Sequence, residues 1–246
     1  MTWTDPGVPP WAAFVLLLIV NNLLGFIISL AIERWGLPKA WSVQAAPRKP
    51  GTLRRHLPLI GANLAVMIIG VGIGFSFVGE YFPFAQPGLV EAIVVVGGLI
   101  LFDDFGFYWV HRLLHRNKTW YRKYHRQHHQ AYAPVPIEYI HAHPVEWMTG
   151  TTLPVAYIIG TVLVTGSMNA WLLMAWVTFR QWHELDIHSG TRSFIGQYIP
   201  FWGTVRAHDL HHAKPNAGNF ASTLDLWDRV FGTRIPDTKP VRSRAS

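Results

Sequence analysis

The sequence predicts an all-α fold: an integral membrane helical bundle of about five spans, with a cytosolic helical cap holding a histidine-rich di-metal site. Three observations predict it. Hydrophobic residues make up 50% of the 246 residues and charged residues only 14%, below the quarter or so usual in soluble domains. Long uncharged runs alternate with basic loops, the pattern that orients membrane helices. Most of the 13 histidines fall in three tight boxes: H-x-x-x-H at His111 and His115, then H-x-x-H-H at His125, His128 and His129 and again at His208, His211 and His212.

The elements follow in order. Residues 1–10 lack a basic run and the next apolar run is too long for a signal peptide, so no cleavable leader is expected. Residues 11–32 carry no charge over the length of a bilayer span; Asn21 and Asn22 should face other helices and hydrogen-bond there. The loop at 33–56 holds Arg34, Lys39, Arg48, Lys49, Arg54 and Arg55, which places it on the cytoplasmic side and the N-terminus outside. Residues 57–78 form a second span whose Gly61, Gly70, Gly72 and Gly74 permit close helix approach. After a short outer turn, residues 89–110 return through the membrane and deliver His111 to the cytoplasmic face. Asp103 and Asp104 lie in this span, and intramembrane carboxylates are functional candidates by default. Asp104 precedes His111 by seven residues and shares its helical face, so it is either an acceptor behind a ligand imidazole or a structural partner for a nearby arginine. Residues 117–143 are basic and aromatic and should be cytosolic. Residues 147–164 and 170–180 read as a hairpin of two spans, the second running on to His183, Glu184 and His188. Residues 191–204 offer Phe194, Tyr198, Phe201 and Trp202 to the interface, and the chain ends in a frayed tail.

The boxes carry the chemistry. Positions i, i+3 and i+4 of a helix share one face, so each box should present its imidazoles as a single cluster. All three boxes fall on the cytoplasmic side of this topology, which points to one site. The chain has no cysteine, which excludes disulfides, iron–sulfur clusters and thiolate zinc. Eight imidazoles exceed what one ion needs, about four for zinc, so two metals are implied; imidazole suits iron, zinc, copper and nickel alike. Chance gives lone histidines, and His56 reads as one of those, but it does not readily give two copies of H-x-x-H-H. The carboxylate di-iron design needs Glu-x-x-His from two helices, and only Glu138 to His141 fits it. The peptidase H-E-x-x-H is absent. The net charge of +7 sits beside apolar spans, which favours anionic lipid headgroups over nucleic acid as partner.

The box spacing resembles the fatty acid hydroxylase and sterol desaturase superfamily of membrane histidine-box di-iron oxygenases. The resemblance covers roughly residues 104–233. It extends to FYWVHRLLH at 107–115, HPVE at 143–146, DIHSG at 186–190 and GNFASTLDLWDRVFGT at 218–233, all similar to the sterol desaturase branch. It divides the chain into N-terminal spans with a basic loop at 1–90, a catalytic domain at 91–235 and a tail at 236–246, forming one structural unit. It implies that the eight box histidines and His188 are ligands. The upstream companion of His188 is His183, one residue off the helical spacing, or Glu184, which stands where a histidine would. His143, Glu184, Asp209 and Asp104 stand as candidates for supporting the ligands from behind. The implied cofactors are two iron ions, for which zinc is a substitute, with dioxygen as co-substrate. The implied reaction is hydroxylation or desaturation of a lipid C–H bond, whether fatty acyl, sterol or other terpenoid, in lipid biosynthesis. The implied partners are the lipid substrate, membrane lipids and a separate electron-donor protein. The expected location is a multi-pass position in a bacterial inner membrane or the endoplasmic reticulum, with the site facing the cytoplasm.

Two other classes compete. A membrane metal transporter or metal-binding protein predicts ionisable residues along several spans, whereas here the histidines gather at one face. A metal-dependent lipid hydrolase needs only one activated water and few ligands, and the ligand count argues against it.

Overall fold

The computed structural model describes residues 6–44, 47–193 and 196–235; the expected tail at 236–246 and Phe194 lie outside the described residues. Helix α1 (Pro10–Trp35) starts on a proline, whose fixed φ suits the first turn, and stops at Gly36 with φ 73°. A loop leads to α2 (Thr52–Val78), and α3 (Leu89–Ala92) continues through a π-helical turn at Ile93–Gly97 into α4 (Gly98–Arg116). Asn117 ends α4 and accepts from the Thr119 and Trp120 amides, capping the short α5 (Lys118–Trp120). A π turn at Tyr121–His125 and 3-10 turns at His128–Gln130 and Pro136–Ile140 follow. Then come α6 (Pro144–Gly150), α7 (Thr152–Thr165), α8 (Ala170–Ile187), α9 (Val205–Ala213) and α10 (Leu226–Val230). Among the described residues there is no strand, only isolated bridges at Ser42–Thr191 and Trp202–Leu224.

Three stretches are long and apolar enough to cross a membrane: Pro10–Trp35, Thr52–Tyr81 and Pro144–Thr165. Their faces bear exposed Leu16, Ile19, Ile27, Ile69, Ile73, Ile159 and Leu163, a surface suited to acyl chains rather than water. The expected spans at 89–110 and 170–180 do not reach that composition, so the count of about five is not supported by length and hydropathy. The reason is position. Both segments turn one face into the bundle, with Leu99 and Ala170 fully buried, and there protein neighbours accept the polar groups that lipid would reject. Asp103 on α4 accepts from Arg180 on α8 at 2.7 Å.

One apolar cluster joins Phe14, Phe82, Val95, Leu99, Met168 and Leu173. A second joins Leu53 and Ile60 of α2 to Val135, Ile137 and Ile140. Polar groups on α1 are matched in pairs. The Asn21 amide donates to Gln181 at 2.8 Å and accepts the Trp182 indole at 3.0 Å, and Asn22 accepts the Tyr139 hydroxyl at 2.8 Å. Of the α2 glycines, only Gly72 approaches a neighbouring helix, at Val15 of α1; Gly61, Gly70 and Gly74 face open space. Helix α7 lies against α4 where Gly98 and Gly106 leave room for Tyr157 and Leu153. The Tyr157 hydroxyl donates to the Val94 carbonyl at 2.8 Å in the π turn, where the helical ladder is displaced.

Candidate metal centre

The ligand helices leave the apolar bundle on one side and converge. Helix α4 places His111 and His115 one turn apart, both buried. The second box lies on a π turn followed by a 3-10 turn rather than an α-helix. The third box lies on α9, whose N-terminus is capped by Thr204 accepting from the Ala207 amide at 3.1 Å. His188 ends α8.

Nine histidines form two groups. His111, His115, His125, His129 and His211 make one; His128, His188, His208 and His212 make the other; within each group the donor nitrogens lie within 4.8 Å of one another. The boxes therefore do not map one to a cluster, as their spacing suggests. In the second box His125 and His129 join the first group and His128 the second. In the third box His208 and His212 join the second group and His211 the first. On α9 the cause is the helical angle: i and i+4 nearly align, while i+3 and i+4 diverge by about 100°.

The donor set fits metal ions. Nε2–Nε2 separations in the first group include 2.7 Å for His125–His115, 3.1 Å for His111–His125, 3.2 Å for His115–His111 and 3.0 Å for His129–His125. In the second they are 3.0 Å for His208–His188, 3.0 Å for His212–His208 and 3.5 Å for His188–His128. Imidazole nitrogens each about 2.0–2.1 Å from a common ion must sit roughly 3 Å apart, and these do. Three of the outward nitrogens are held by carbonyls, which only accept. His111 Nδ1 donates to Phe220 O at 2.7 Å, His211 Nδ1 to Gly218 O at 2.8 Å, and His188 Nδ1 to Glu184 O at 2.8 Å. Each bond fixes the tautomer that leaves Nε2 with a free lone pair. The buried His211 Nε2 has no protein partner among the described residues. Burial first, then repulsion between rings, pushes His125, His128, His129, His208 and His212 well below the ordinary histidine range, so their lone pairs stay available at neutral pH.

The other expected site residues fall differently. His183 lies outside both groups: its Nε2 is 3.0 Å from Ser222 O and its ring packs edge-on against Trp202 at 4.7 Å. It is buried in the bundle, and Trp202, expected at the interface, is turned inward on it. Glu184 is not in ligating position either. Its carboxylate accepts from Arg180 and, at 2.9 Å, from the Ser222 hydroxyl, and stands 3.6 Å from the Nδ1 side of His188. Burial drives Glu184 upward, but the charge of the adjacent Arg180 outweighs it and holds it at about 2. Asp104 meets neither a ligand imidazole nor an arginine side chain; its carboxyl accepts from the Thr223 amide at 2.8 Å and the Leu224 amide at 3.1 Å. His143 caps α6 by accepting from the Val145 amide at 3.2 Å. Asp209 is buried on α9, among the ligand positions.

Two residues escape the sequence reading. Glu146 lies 2.9 Å from His125 Nδ1, at an ion-pair distance but bent away from a good hydrogen bond. Only the HPVE motif hints at it. Asp228 accepts from the Phe220 and Ala221 amides at 3.0 and 2.9 Å. With Asp104 it ties down the segment 218–224, which supplies the carbonyls for His111 and His211, and this accounts for the acidic residues flanking that segment.

A family model described as fatty acid hydroxylase matches residues 96–233, the stretch that carries every box. The chain belongs to the fatty acid hydroxylase family. It is 41% identical over 140 residues to methylsterol monooxygenase 1 of Rattus norvegicus, covering 56% of this chain and 45% of that protein. It is 36% identical over 228 residues to methylsterol monooxygenase 1 of Danio rerio, covering 88% and 76%. It is 34% identical over 163 residues to very-long-chain aldehyde decarbonylase GL1-10 of Oryza sativa subsp. japonica, covering 64% and 52%. The chain thus spans about half the length of the first and last of these relatives. No solved structure matches it. This member of the fatty acid hydroxylase family places the family's matched stretch around both histidine groups and leaves α1, α2 and α3 outside it.

Proposed function

We propose that this chain is a membrane oxidoreductase that uses two iron ions and dioxygen to hydroxylate or desaturate a C–H bond of a lipid. The observation that carries the reading is the pair of adjacent, buried, all-imidazole groups, five and four histidines strong. His111, His115, His125, His129 and His211 would hold one ion, and His128, His188, His208 and His212 the other. Bound there, two irons supply the redox chemistry that couples reduction of dioxygen to oxidation of an unactivated C–H bond. The chain's own part is to hold the imidazoles neutral, to fix their tautomers through the carbonyls of Phe220, Gly218 and Glu184, and to exclude water around them.

The relatives named methylsterol monooxygenase and very-long-chain aldehyde decarbonylase support a lipid substrate. The exposed apolar faces of α1, α2 and α7 support delivery from the bilayer. The basic loop at 33–56 supports a cytoplasmic site, in a bacterial inner membrane or the endoplasmic reticulum. Electrons would arrive from a separate protein, since the chain has no cysteine for an iron–sulfur centre.

The test is metal analysis of detergent-purified protein from iron-replete cells. About two metals per chain are expected for two such sites. His128→Ala and His211→Ala, which strike different groups, each lower the content toward one. One metal or none, indifferent to both changes, overturns the reading. Comparing lipids from cells with and without the intact protein, for gain of one oxygen or loss of two hydrogens, identifies the reaction.

A further inference from the structure

The loop between α1 and α2 lies outside the family match at 96–233, yet it reaches two of the ligand segments. On one side, residues 41–44 run along the chain just after His188. The Val43 amide donates to Gly190 O at 2.9 Å, the Arg192 amide donates to Trp41 O at 3.1 Å, and Ser42 bridges Thr191. Gly190 has φ +69°, and the Gln44 side chain fills the space a Cβ there would need. On the other side, residues 44 and 47–48 hold the chain just after His128. Gln44 Nε2 donates to Pro134 O at 2.9 Å, Arg48 Nη1 donates to Ala133 O at 2.8 Å, and Pro47 O accepts the Tyr132 hydroxyl at 3.1 Å. Arg48 also makes a two-pronged pair with the fully buried Glu138, at 2.7 and 3.0 Å, and reaches Glu33 at the end of α1 at 2.7 Å.

The two ligands flanked in this way, His128 and His188, belong to the same four-histidine group. They come from separate segments, and their Nε2 atoms are 3.5 Å apart. The group's other two, His208 and His212, are already fixed one helical turn apart on α9. We infer that Gln44 and Arg48 are positioning residues for the second metal: Gln44 braces the His128 segment against the His188 segment and Arg48 anchors the His128 segment to α1, so that the N-terminal loop completes the four-histidine site. The inference rests on the two-metal reading above. The five-histidine group depends on it less: only His125 and His129 share the braced segment with His128, while His111 and His211 are held by the carbonyls of residues 220 and 218.

Zinc is the probe, since imidazole binds it as readily as iron without redox complications. Zinc is titrated onto metal-stripped full-length protein in detergent against a competing chelator, with helix content followed by circular dichroism. The wild type takes up two ions. Gln44→Ala and Arg48→Ala keep the tight uptake of one ion and weaken the other by about 10–100-fold, the effect usual for residues that orient ligands. Arg48→Lys, which keeps one prong and the charge, recovers part of the loss. A double variant with His188→Ala adds nothing further to the weakening of that ion. Both ions retained at wild-type affinity in Gln44→Ala and Arg48→Ala overturns the inference while leaving two metals standing. Equal weakening of both ions, or failure of both variants to fold, overturns it by making the loop a support of the whole bundle. A wild type that takes up fewer than two ions overturns the two-metal reading itself.

Discussion

Asp104→Asn tests the idea that the site is held from a distance by the backbone it orients. Asp104 uses one carboxyl oxygen for the Thr223 amide at 2.8 Å and the other for the Leu224 amide at 3.1 Å, in a pocket where the residue is 1% exposed. Asparagine has the same shape but turns one acceptor into a donor, so one buried N–H must lose its partner. An unsatisfied buried donor costs about 1–3 kcal/mol. At about 2–4 °C per kcal/mol for a chain of this size, the melting temperature should fall by roughly 2–12 °C. The loss should also reach the metal, because the same segment carries the carbonyls of Gly218 and Phe220 that fix His211 and His111. Both belong to the five-histidine group, so the ion there should weaken more than its neighbour. The assay pairs thermal melting in detergent, followed by tryptophan fluorescence, with zinc titration of the metal-stripped protein. An unchanged melting point together with unchanged affinity for both ions refutes the reasoning.

Two further predictions concern other parts of the molecule. Burial pushes the Glu138 carboxyl up, but His56, Arg48 and the Val135 amide outweigh it and hold it at about 2 instead of 4.5. A depressed carboxylate contributes stability that is present above its ordinary value and lost as pH falls from 4.5 toward 2, about 3 kcal/mol for that interval. Acid titration of unfolding should therefore show a steeper loss in the wild type than in Glu138→Gln, which starts less stable at neutral pH; parallel profiles count against the buried pair. Gly106→Ala drives a methyl into Leu153 and should cost about 1–3 kcal/mol through overpacking, lowering the melting point while metal content stays at the wild-type level. Loss of metal in that variant would mean that α7 supports the site.

The helical class and the site's residue types were legible because both depend on local pattern. Uncharged runs read as helices whatever packs around them, and histidines three and four apart must lie near one another in space. What the sequence concealed was set by distant partners. The segments at 89–110 and 170–180 read as spans because they are apolar, but only tertiary packing places Asp103 against Arg180. His183 is as good a ligand as His188 by chemistry, but it faces the Ser222 carbonyl and the ring of Trp202 instead of the two groups. Asp104 and Asp228 act on backbone amides, 119 positions away in the first case, a relation that no periodicity records. The grouping of the ligands was hidden for a further reason: the box at 125–129 leaves the α-helical path for π and 3-10 turns, so its angles could not be taken from its spacing.

The sharing of each H-x-x-H-H box between two groups has a mechanical consequence. His211 and the pair His208 and His212 project from α9 on either side of a line between the groups. If the helix rolled about its axis in either direction, one imidazole would advance toward its neighbours as the others withdrew. With both groups filled, no roll improves the two together, so α9 is locked in rotation like a shaft keyed at two angles. The box at 125–129 provides the matching key from the opposite wall, with the allocation reversed. A ligand pair confined to one group would stop a helix from sliding away but would leave it free to turn.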